Sequence, residues 1–316
     1  MIMARAPMRI SFGGGGTDVD PYCSEHGGLT LNATINHYIE GSLEFCRERQ
    51  EYDELTQAVI KHFLDKNIGI PKHNYYKISV YSDIPAGSGL GSSSTYVVML
   101  IKLFMEVFDE KMDDYEIADL AYKIERIDCG MAGGKQDQYA TTFGGFNLTE
   151  WENGNPVVIP LKISRNTIND LESRLSLFYV GPREGDSADI IISQQKDYKD
   201  KLIYYDGVKI LATKMKNSLM WGDINAFTKQ LTSSWEMKKN LSDKISNPRI
   251  NNIYAGALTH GAVGGKLTGA GGGGFMMLAS PLERKEEVKE FMVNQAGCYH
   301  FPFSFEYKGA QSWKSQ

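Results

Sequence analysis

The sequence predicts an α+β protein built from two domains. Strand-like and helix-like stretches follow one another without the regular alternation that a doubly wound parallel sheet requires. A chain of 316 residues is long enough to fill two cores. Three glycine-rich segments, at 9–18, 85–95 and 266–275, each adjoin an apolar run, so the backbone is open to close approach at three separate places. The boundary is placed within 162–171, giving units of 1–165 and 166–316.

Alternating apolar residues predict strands at 4–12, 29–35 and 39–45, and a helical pattern follows over Glu54–Lys66. The run 75–81, with Ile78 and Val80 in alternation, reads as the strand that feeds the second glycine segment. Behind that segment Val97, Ile101, Phe104, Met105 and Phe108 recur at helical spacing. Asp113, with Glu116 three residues on, is a capping-box start for a helix over 114–127. Short strands are expected at 145–151, 157–163 and 175–180, and 187–260 is mainly helical, interrupted at Gly207, Gly222 and Pro248. A glycine-rich strand over 266–279, with Met276 and Met277 in its interior, precedes a helix at 283–294 whose mixed charges read as a solvated face.

Lys plus Arg number 34 and Asp plus Glu 39, and the resulting net charge of −5 argues against a nucleic-acid binder. An anionic ligand then has to be met by local cations. Cys23, Cys46, Cys129 and Cys298 form no CxxC pair, and His26, His37, His62, His73, His260 and His300 show no paired-ligand spacing. Neither a zinc site nor a disulfide framework is expected. The first ten residues lack an apolar signal core and the run 97–101 is broken by Lys102, so the reading is a cytoplasmic chain without a membrane span.

The second glycine segment, PAGSGLGSSST, carries the most chemistry. Gly87, Gly89 and Gly91 let successive N–H groups converge on one oxyanion, and Ser92, Ser93 and Ser94 add hydroxyl donors. Ser92 or Ser93 is the expected N-cap of the helix behind, whose unpaired N–H groups and positive dipole end favour a phosphate. No Lys follows, so the pattern is not Walker A. A Gly/Ser-rich surface turn is the alternative. In RISFGGGGTD, the glycines after an apolar strand admit a ligand to the backbone, and Thr17 and Asp18 offer partners for sugar hydroxyls; a flexible hairpin tip competes with this reading. In KLTGAGGGGF, Gly269, Gly271 and Gly274 stand in GxGxxG register, yet a strand-like FMMLAS and Pro281 follow where a dinucleotide fingerprint needs a helix. On a helical wheel Glu125 borders the apolar face made by Ile117, Leu120, Ala121 and Ile124, so it is expected half buried beside a cleft. With Asp137 in GGKQDQYA it offers two acids, one for Mg²⁺ and one for a substrate hydroxyl. A helix-surface charge and an N-terminal helix residue are the plainer assignments.

These stretches resemble the three motifs of the galactokinase, homoserine kinase, mevalonate kinase and phosphomevalonate kinase (GHMP) superfamily. RAPMRISFGGGGTD, PAGSGLGSSST and KLTGAGGGGF occur in that order, and the likeness spans nearly the whole chain. GGGGTD is similar to a branch of sugar 1-kinases that includes heptose 7-phosphate kinases and fucokinases, and 238–275 is especially similar to the heptose enzymes. The resemblance implies an N-terminal ATP-binding domain, a C-terminal domain and an active site in the cleft between them. It implies transfer from ATP, with Mg²⁺, to the anomeric hydroxyl of D-glycero-D-manno-heptose 7-phosphate, giving the 1,7-bisphosphate for nucleotide-activated heptose synthesis. Fucose and galactose are alternative acceptors, and a non-catalytic sugar- or ATP-binding regulator is an alternative role. A nicotinamide-dependent oxidoreductase rests only on 269–274.

By the same resemblance, Pro85, Gly87, Ser88, Gly89, Leu90, Gly91, Ser92, Ser93 and Ser94 wrap the ATP phosphates. Ser93 and Glu125 hold Mg²⁺, with Ser94 standing where many relatives have Ala. Asp137 is the catalytic base and Arg9 its cationic companion. Gly15, Gly16, Thr17 and Asp18 grip the sugar, and Gly269, Ala270, Gly271 and Gly272 close over the substrate side of the phosphates. A phosphorylated acceptor also needs a cation for its distal phosphate, for which Arg183 is the first candidate and Lys238, Lys239 and Arg249 are others. The partners are then a sugar phosphate and ATP, with no nucleic acid and no membrane.

Overall fold

A computed structural model describes residues 1–66, 75–85, 87–152, 155–183, 185–196 and 198–315. His73, and Ala86 of the second glycine segment, lie outside these. The first half runs β1 (Ile2–Gly13), α1 (Tyr22–His26), β2 (Gly28–Cys46), α2 (Glu54–Lys66), β3 (Tyr75–Ser82), α3 (Ser92–Phe108), α4 (Asp114–Tyr122), α5 (Gln136–Phe143), β4 (Phe146–Glu152) and β5 (Asn155–Pro160). The second runs α6 (Arg165–Arg174), β6 (Leu175–Tyr179), α7 (Ser187–Gln195), α8 (Leu202–Trp221), α9 (Ile224–Lys239), α10 (Pro248–Thr259), β7 (Gly264–Leu267), β8 (Phe275–Ala279), α11 (Lys285–Glu290), β9 (Tyr299–Phe301), β10 (Phe305–Glu306) and β11 (Gln311–Lys314).

The strands form two antiparallel sheets, one ordered β11-β1-β2-β4-β5 with β3 and β10 also on β2, the other β7-β8-β6-β9. Antiparallel sheets with unevenly spaced helices are the expected α+β class. β10 and β11, from the far end of the chain, return to the first sheet across the expected division at 165 and 166. Ile10, Phe12, Phe104, Leu231 and Phe275 belong to one apolar cluster that spans both halves. Each such fully buried side chain contributes roughly 1.5–3 kcal/mol, so the two sheets share one core.

Several elements differ from the sequence reading in ways that shape that cleft. The expected strands 29–35 and 39–45 are one strand, β2. Between them lies a register shift, with Pro7 opposite Tyr38 and Arg9 opposite Thr34. The polar Asn36 and His37 look like a turn in sequence, but they are tied to the returning C-terminal segment, Asn36 N–H to Ser304 O at 2.9 Å and His37 Nε2 with Pro302 O at 2.9 Å. The irregularity falls next to Arg9, as bulges that re-aim side chains near sites commonly do.

The capping box at Asp113 and Glu116 forms as expected. The helix then widens into a π-helical turn, Lys123–Asp128, and Glu125 is fully buried rather than half buried. Gly207 does not interrupt α8, and Met237 Sδ of α9 lies 3.2 Å from where its Cβ would be. Gly222 ends α8 in a left-handed cap, and Pro248 opens α10 behind the Asn247 N-cap. The expected strand 266–279 is a hairpin, β7 and β8, with the glycines at its tip. The helix expected at 283–294 is a short 3-10 turn, α11 and a π-helical turn in succession. Among the described residues no helix is long and apolar enough to cross a membrane.

Candidate active site

A cleft of about 290 Å³ opens where the three glycine segments meet. One wall is the loop between β3 and α3. Gly87, Gly89, Gly91, Ser92, Ser93 and Ser94 line it. Pro85 is exposed outside the cleft, whereas Ser88 and Leu90 are buried behind it. Their carbonyls accept from Phe275 N–H and Arg9 N–H at 3.0 Å, so they shape the loop from behind. The N-cap of α3 is Gly91, in a left-handed conformation, and not Ser92 or Ser93. Because the serines are already inside the helix and no side chain caps it, the first-turn N–H groups remain available to a ligand.

The loop approaches the tip of the β7–β8 hairpin backbone to backbone. A Cβ on Gly89 would stand 2.8 Å from Thr268 O, and one on Gly269 would stand 2.6 Å from Gly89 Cα. Both glycines have positive φ, so two separate constraints exclude a side chain at each.

Below the helix start, Glu125 Oε2 accepts from Ser94 Oγ at 2.6 Å and from Gln138 Nε2 at 2.7 Å. Glu125 Oε1 accepts no hydrogen bond among the described residues and faces Arg126 Nη1 at 3.2 Å. Ser93 Oγ is buried without a hydrogen-bond partner among the described residues. The serine that touches Glu125 is therefore Ser94, while Ser93 keeps its hydroxyl free. No group of three or more His, Cys, Asp or Glu among the described residues is placed to hold a metal. Ser93 Oγ and Glu125 Oε1, the latter shared with Arg126, suit an ion whose other ligands are phosphate oxygens and water, the usual condition of Mg²⁺.

A second wall, packed against this loop at Gly89 and Gly91, centres on a fork-to-fork pair. Arg9 Nε and Nη2 lie 2.8 Å from Asp137 Oδ1 and Oδ2, and Nη1 donates to Gly89 O at 2.8 Å. Arg9 is 2% exposed and the Asp137 side chain 20% exposed, so the carboxylate faces the cleft while its partner is sealed behind it. Asp137 lies in the first turn of α5, where the helix dipole favours a negative charge. Asp18 fixes that helix start: its Oδ2 accepts from Lys135 and Gln136 N–H at 3.0 and 3.1 Å, and its Oδ1 from Gly16 N–H at 3.1 Å. Burial raises the Asp18 pKa and nearby Asp137 adds to this, while the backbone donors oppose it.

Thr17 does not face the cleft. Its buried hydroxyl lies 2.7 Å from Gly14 O and 2.9 Å from Leu29 O and accepts from Leu29 N–H at 3.0 Å, knitting the turn to β2. Gly16 lines the cleft and Gly15 packs beside Lys238. In the hairpin tip Gly269 and Ala270 line it. Gly271 and Gly272 instead brace neighbours, the first accepting from Arg183 Nε at 2.7 Å and the second donating to Ile245 O at 2.8 Å.

Arg183 and Lys238 reach the cleft. Arg183 is partly buried, which lowers its pKa. Lys238 is 5% exposed, donates to Gly269 O at 2.5 Å, and is pushed by burial down to about 8. Lys239 and Arg249 are not part of the lining; the first pairs with Glu236 and the second lies against Gly181. Behind the wall Lys266 is fully buried, donating to Phe12 O at 3.1 Å, and burial lowers its pKa well below the ordinary lysine value. The sequence reading missed Arg126, Gln136 and Gln138. Arg126 lies against Gly133 and donates to Ala132 O at 3.3 Å; its adjacency to Glu125, ahead of the GMAGG run, was the available signal. The two glutamines flank Asp137 directly.

The chain matches the family description of the GHMP kinases N terminal domain over residues 54–145 and that of the GHMP kinases C terminal over 211–297. It is 35% identical to the D-glycero-alpha-D-manno-heptose 7-phosphate kinase of Campylobacter jejuni, over 99% of both chains. It is 24% identical to the bifunctional fucokinase/GDP-fucose pyrophosphorylase of Arabidopsis thaliana, over 92% of this chain and 31% of that one. A crystal structure named D-glycero-D-manno-heptose 1-phosphate kinase, from Bacteroides thetaiotaomicron, superposes with a TM-score of 0.83 at 33% identity and covers the whole of both chains. The GxGxxG register of 269–274, which had pointed to a dinucleotide, sits in a hairpin tip with a strand after it. With that reading removed, the likeness covers the full length and both halves of the fold: the chain belongs to the GHMP kinase family and is an ATP-dependent phosphotransferase.

Proposed function

We propose that this chain is a sugar 1-kinase that phosphorylates the anomeric hydroxyl of D-glycero-D-manno-heptose 7-phosphate to the 1,7-bisphosphate, a step toward nucleotide-activated heptose. The observation that carries this reading is the Arg9–Asp137 pair, with a partly exposed carboxylate set beside the N-terminus of α3 in one cleft. An oxyanion cradle and a positioned carboxylate are what phosphoryl transfer to a hydroxyl requires. The likeness to proteins named for heptose phosphates supports the sugar class. Their names differ in which phosphate the acceptor carries, so the position of transfer is the point to test.

In this mechanism the loop at 87–91 and the first turn of α3 bind the ATP phosphates through backbone N–H groups. Asp137 accepts the proton of the anomeric hydroxyl, which is more acidic than an ordinary alcohol. Arg9 holds Asp137 by both oxygens and so fixes the direction of its free lone pairs. Because Arg9 Nη1 also holds Gly89 O, the base and the phosphate loop are kept at a set separation. Mg²⁺, when bound, offsets repulsion between phosphate oxygens, and Ser93 Oγ with Glu125 Oε1 would hold it. Arg183 would meet the distal phosphate from the rim of the cleft.

ADP release measured across heptose 7-phosphate, heptose 1-phosphate, fucose, galactose and mannose tests the reading, with ³¹P NMR locating the new ester. The expected result is the highest kcat/KM for heptose 7-phosphate and a phosphate at the anomeric carbon. A new ester at any other carbon, or a higher kcat/KM for another sugar, overturns the assignment. A protein that binds sugar and ATP yet releases no ADP above background is a regulator on this fold.

A further inference from the structure

The cleft is lined on one side by α7, through Ser187, Ile191 and Gln194, whose spacing of four and then three residues makes them one helix face. Ile190, on the face turned away, is packed in the core. Gln194 is 3% exposed. Its backbone carbonyl accepts from the Tyr205 hydroxyl at 3.0 Å, which fixes the last turn of the helix, yet neither end of its side-chain amide has a hydrogen-bond partner among the described residues. Both amide atoms keep accessible surface, unlike the enclosed Ser11 Oγ and Gln136 Oε1, and for a residue of the lining that surface opens on the cleft. The next residue shows the contrast: Gln195 Nε2 donates to Asp20 O at 2.8 Å and is tied to the fold.

The position of the amide selects its guest. A Cβ on Gly16 would stand 3.2 Å from Gln194 Oε1, so the amide lies against the turn that carries Asp18. Asp18 holds the backbone of Lys135 and Gln136, and Asp137, the next residue, stands 3.4 Å from where a Cβ on Gly91 would be. This order of contacts puts Asp137 between the phosphate loop and the amide, the place of a base that takes its proton from an acceptor held at Gln194. An amide offers one accepting oxygen and two N–H donors. A phosphate brings only acceptors and would set charged oxygens against Oε1. Hydroxyls on neighbouring carbons of a sugar satisfy both ends, one donating to Oε1 and the other accepting from Nε2, while Ile191 one turn earlier offers apolar surface to ring C–H groups. We propose that Gln194 is a specificity-determining residue of the acceptor site and pairs with two neighbouring hydroxyls of the sugar. The inference rests on the sugar-kinase reading and deepens it.

The test combines Gln194→Met with mono-deoxy acceptors, read by ADP release. The substitution keeps the length of the side chain and removes both ends of the amide. The KM for heptose 7-phosphate should rise about 10- to 100-fold, the worth of two hydrogen bonds, while the KM for ATP stays within about twofold. On the wild type, the two analogues that lack the paired hydroxyls should each lose about 3- to 10-fold in kcat/KM, and on Gln194→Met neither should lose anything further. Penalties that persist undiminished in Gln194→Met, or an unchanged acceptor KM, overturn the assignment and leave the kinase reading intact. A loss confined to the KM for ATP gives the amide to the nucleotide and overturns it equally. No ADP release by the wild type with any sugar overturns the kinase reading as well.

Denaturant unfolding without ligand separates this role from a structural one. An amide with no partner in the protein adds nothing to the fold that Met does not replace, so Gln194→Met should unfold at a midpoint no lower than that of the wild type. A lower midpoint means that the amide serves the fold, and contradicts the proposal. The analogue series on the wild type needs no variant. If no two neighbouring hydroxyls carry a penalty there, the pairing is refuted whatever Gln194→Met does.

Discussion

On the proposed acceptor wall of the cleft the charges arrive already paired, Arg9 with both oxygens of Asp137 and Asp18 with three backbone donors, whereas on the proposed nucleotide wall the first turn of α3 has no side-chain cap and Ser93 Oγ no hydrogen-bond partner among the described residues. The difference separates what folding must fix from what a ligand completes. A general base has to point in one direction before substrate arrives, so its orientation is built from protein contacts. A triphosphate brings its own oxygens and its own metal, so the groups that meet it are best left unsatisfied. Ligands should act accordingly: ATP with Mg²⁺ supplies missing partners and stabilises the fold by mass action, about 2.7 kcal/mol at a hundredfold excess over Kd.

The sharpest way to break this contrast is to disable the acceptor wall without touching the other. Asp137→Asn keeps the shape of the side chain and removes the base, and turnover should fall about 10²- to 10⁴-fold. ATP binding, followed by calorimetric titration, should be unaltered, because no phosphate contact is lost. Undiminished turnover would remove Asp137 from the mechanism, and lost ATP binding would mean the two walls are not separable.

Gly89→Ala attacks the nucleotide wall at its contact with the hairpin tip. The new methyl would meet Thr268 O at 2.8 Å in a left-handed backbone, so the loop has to shift away from Gly269. A displacement of about 1 Å in such a site costs on the order of 10²-fold in kcat/KM. The loss should be seen in the ATP dependence, and most of the thermal stabilisation by ATP and Mg²⁺ should vanish with it. An unchanged thermal shift would place the phosphates elsewhere.

Within the nucleotide wall, two neighbouring serines should behave oppositely. Ser93→Ala removes a hydroxyl with no partner among the described residues, so stability should hold while the Mg²⁺ needed for half-maximal ADP release rises about tenfold. Ser94→Ala removes the 2.6 Å hydrogen bond to buried Glu125 and should cost about 1–3 kcal/mol in denaturant unfolding. The reverse pattern would assign the metal hydroxyl to Ser94.

How far the sequence revealed these walls follows from the range of the forces involved. Gly87, Gly89 and Gly91 were legible because a backbone constraint is local: each removes a side chain where the loop turns, whatever the rest of the chain does. The helix behind them was legible from its 3.6-residue period. The return of β11 to β1 pairs residues more than 300 apart, and no local pattern encodes that. Hidden in the same way were the single strand through Asn36 and His37, whose polar partners come from 302–304, and the π-helical turn that buries Glu125. At the site, residue type was readable and direction was not. Thr17 and Asp18 look equivalent as partners for a sugar, yet one faces β2 and the other the start of α5.

That last pair yields the prediction with the smallest expected effect on catalysis. If Thr17 serves the fold of the turn and not the sugar, Thr17→Val should lower stability by about 1–3 kcal/mol, since Leu29 N–H and the carbonyl that takes the hydroxyl proton lose a buried partner. The volume is nearly unchanged, so the turn can keep its path and the acceptor KM should move by less than about twofold at a temperature where the variant is folded. Denaturant unfolding and steady-state kinetics on one preparation measure both. A raised acceptor KM with undiminished stability would turn the Thr17 hydroxyl toward the sugar. The Thr17 hydroxyl would then be held in reserve for a ligand, as the Ser93 hydroxyl is on the nucleotide wall.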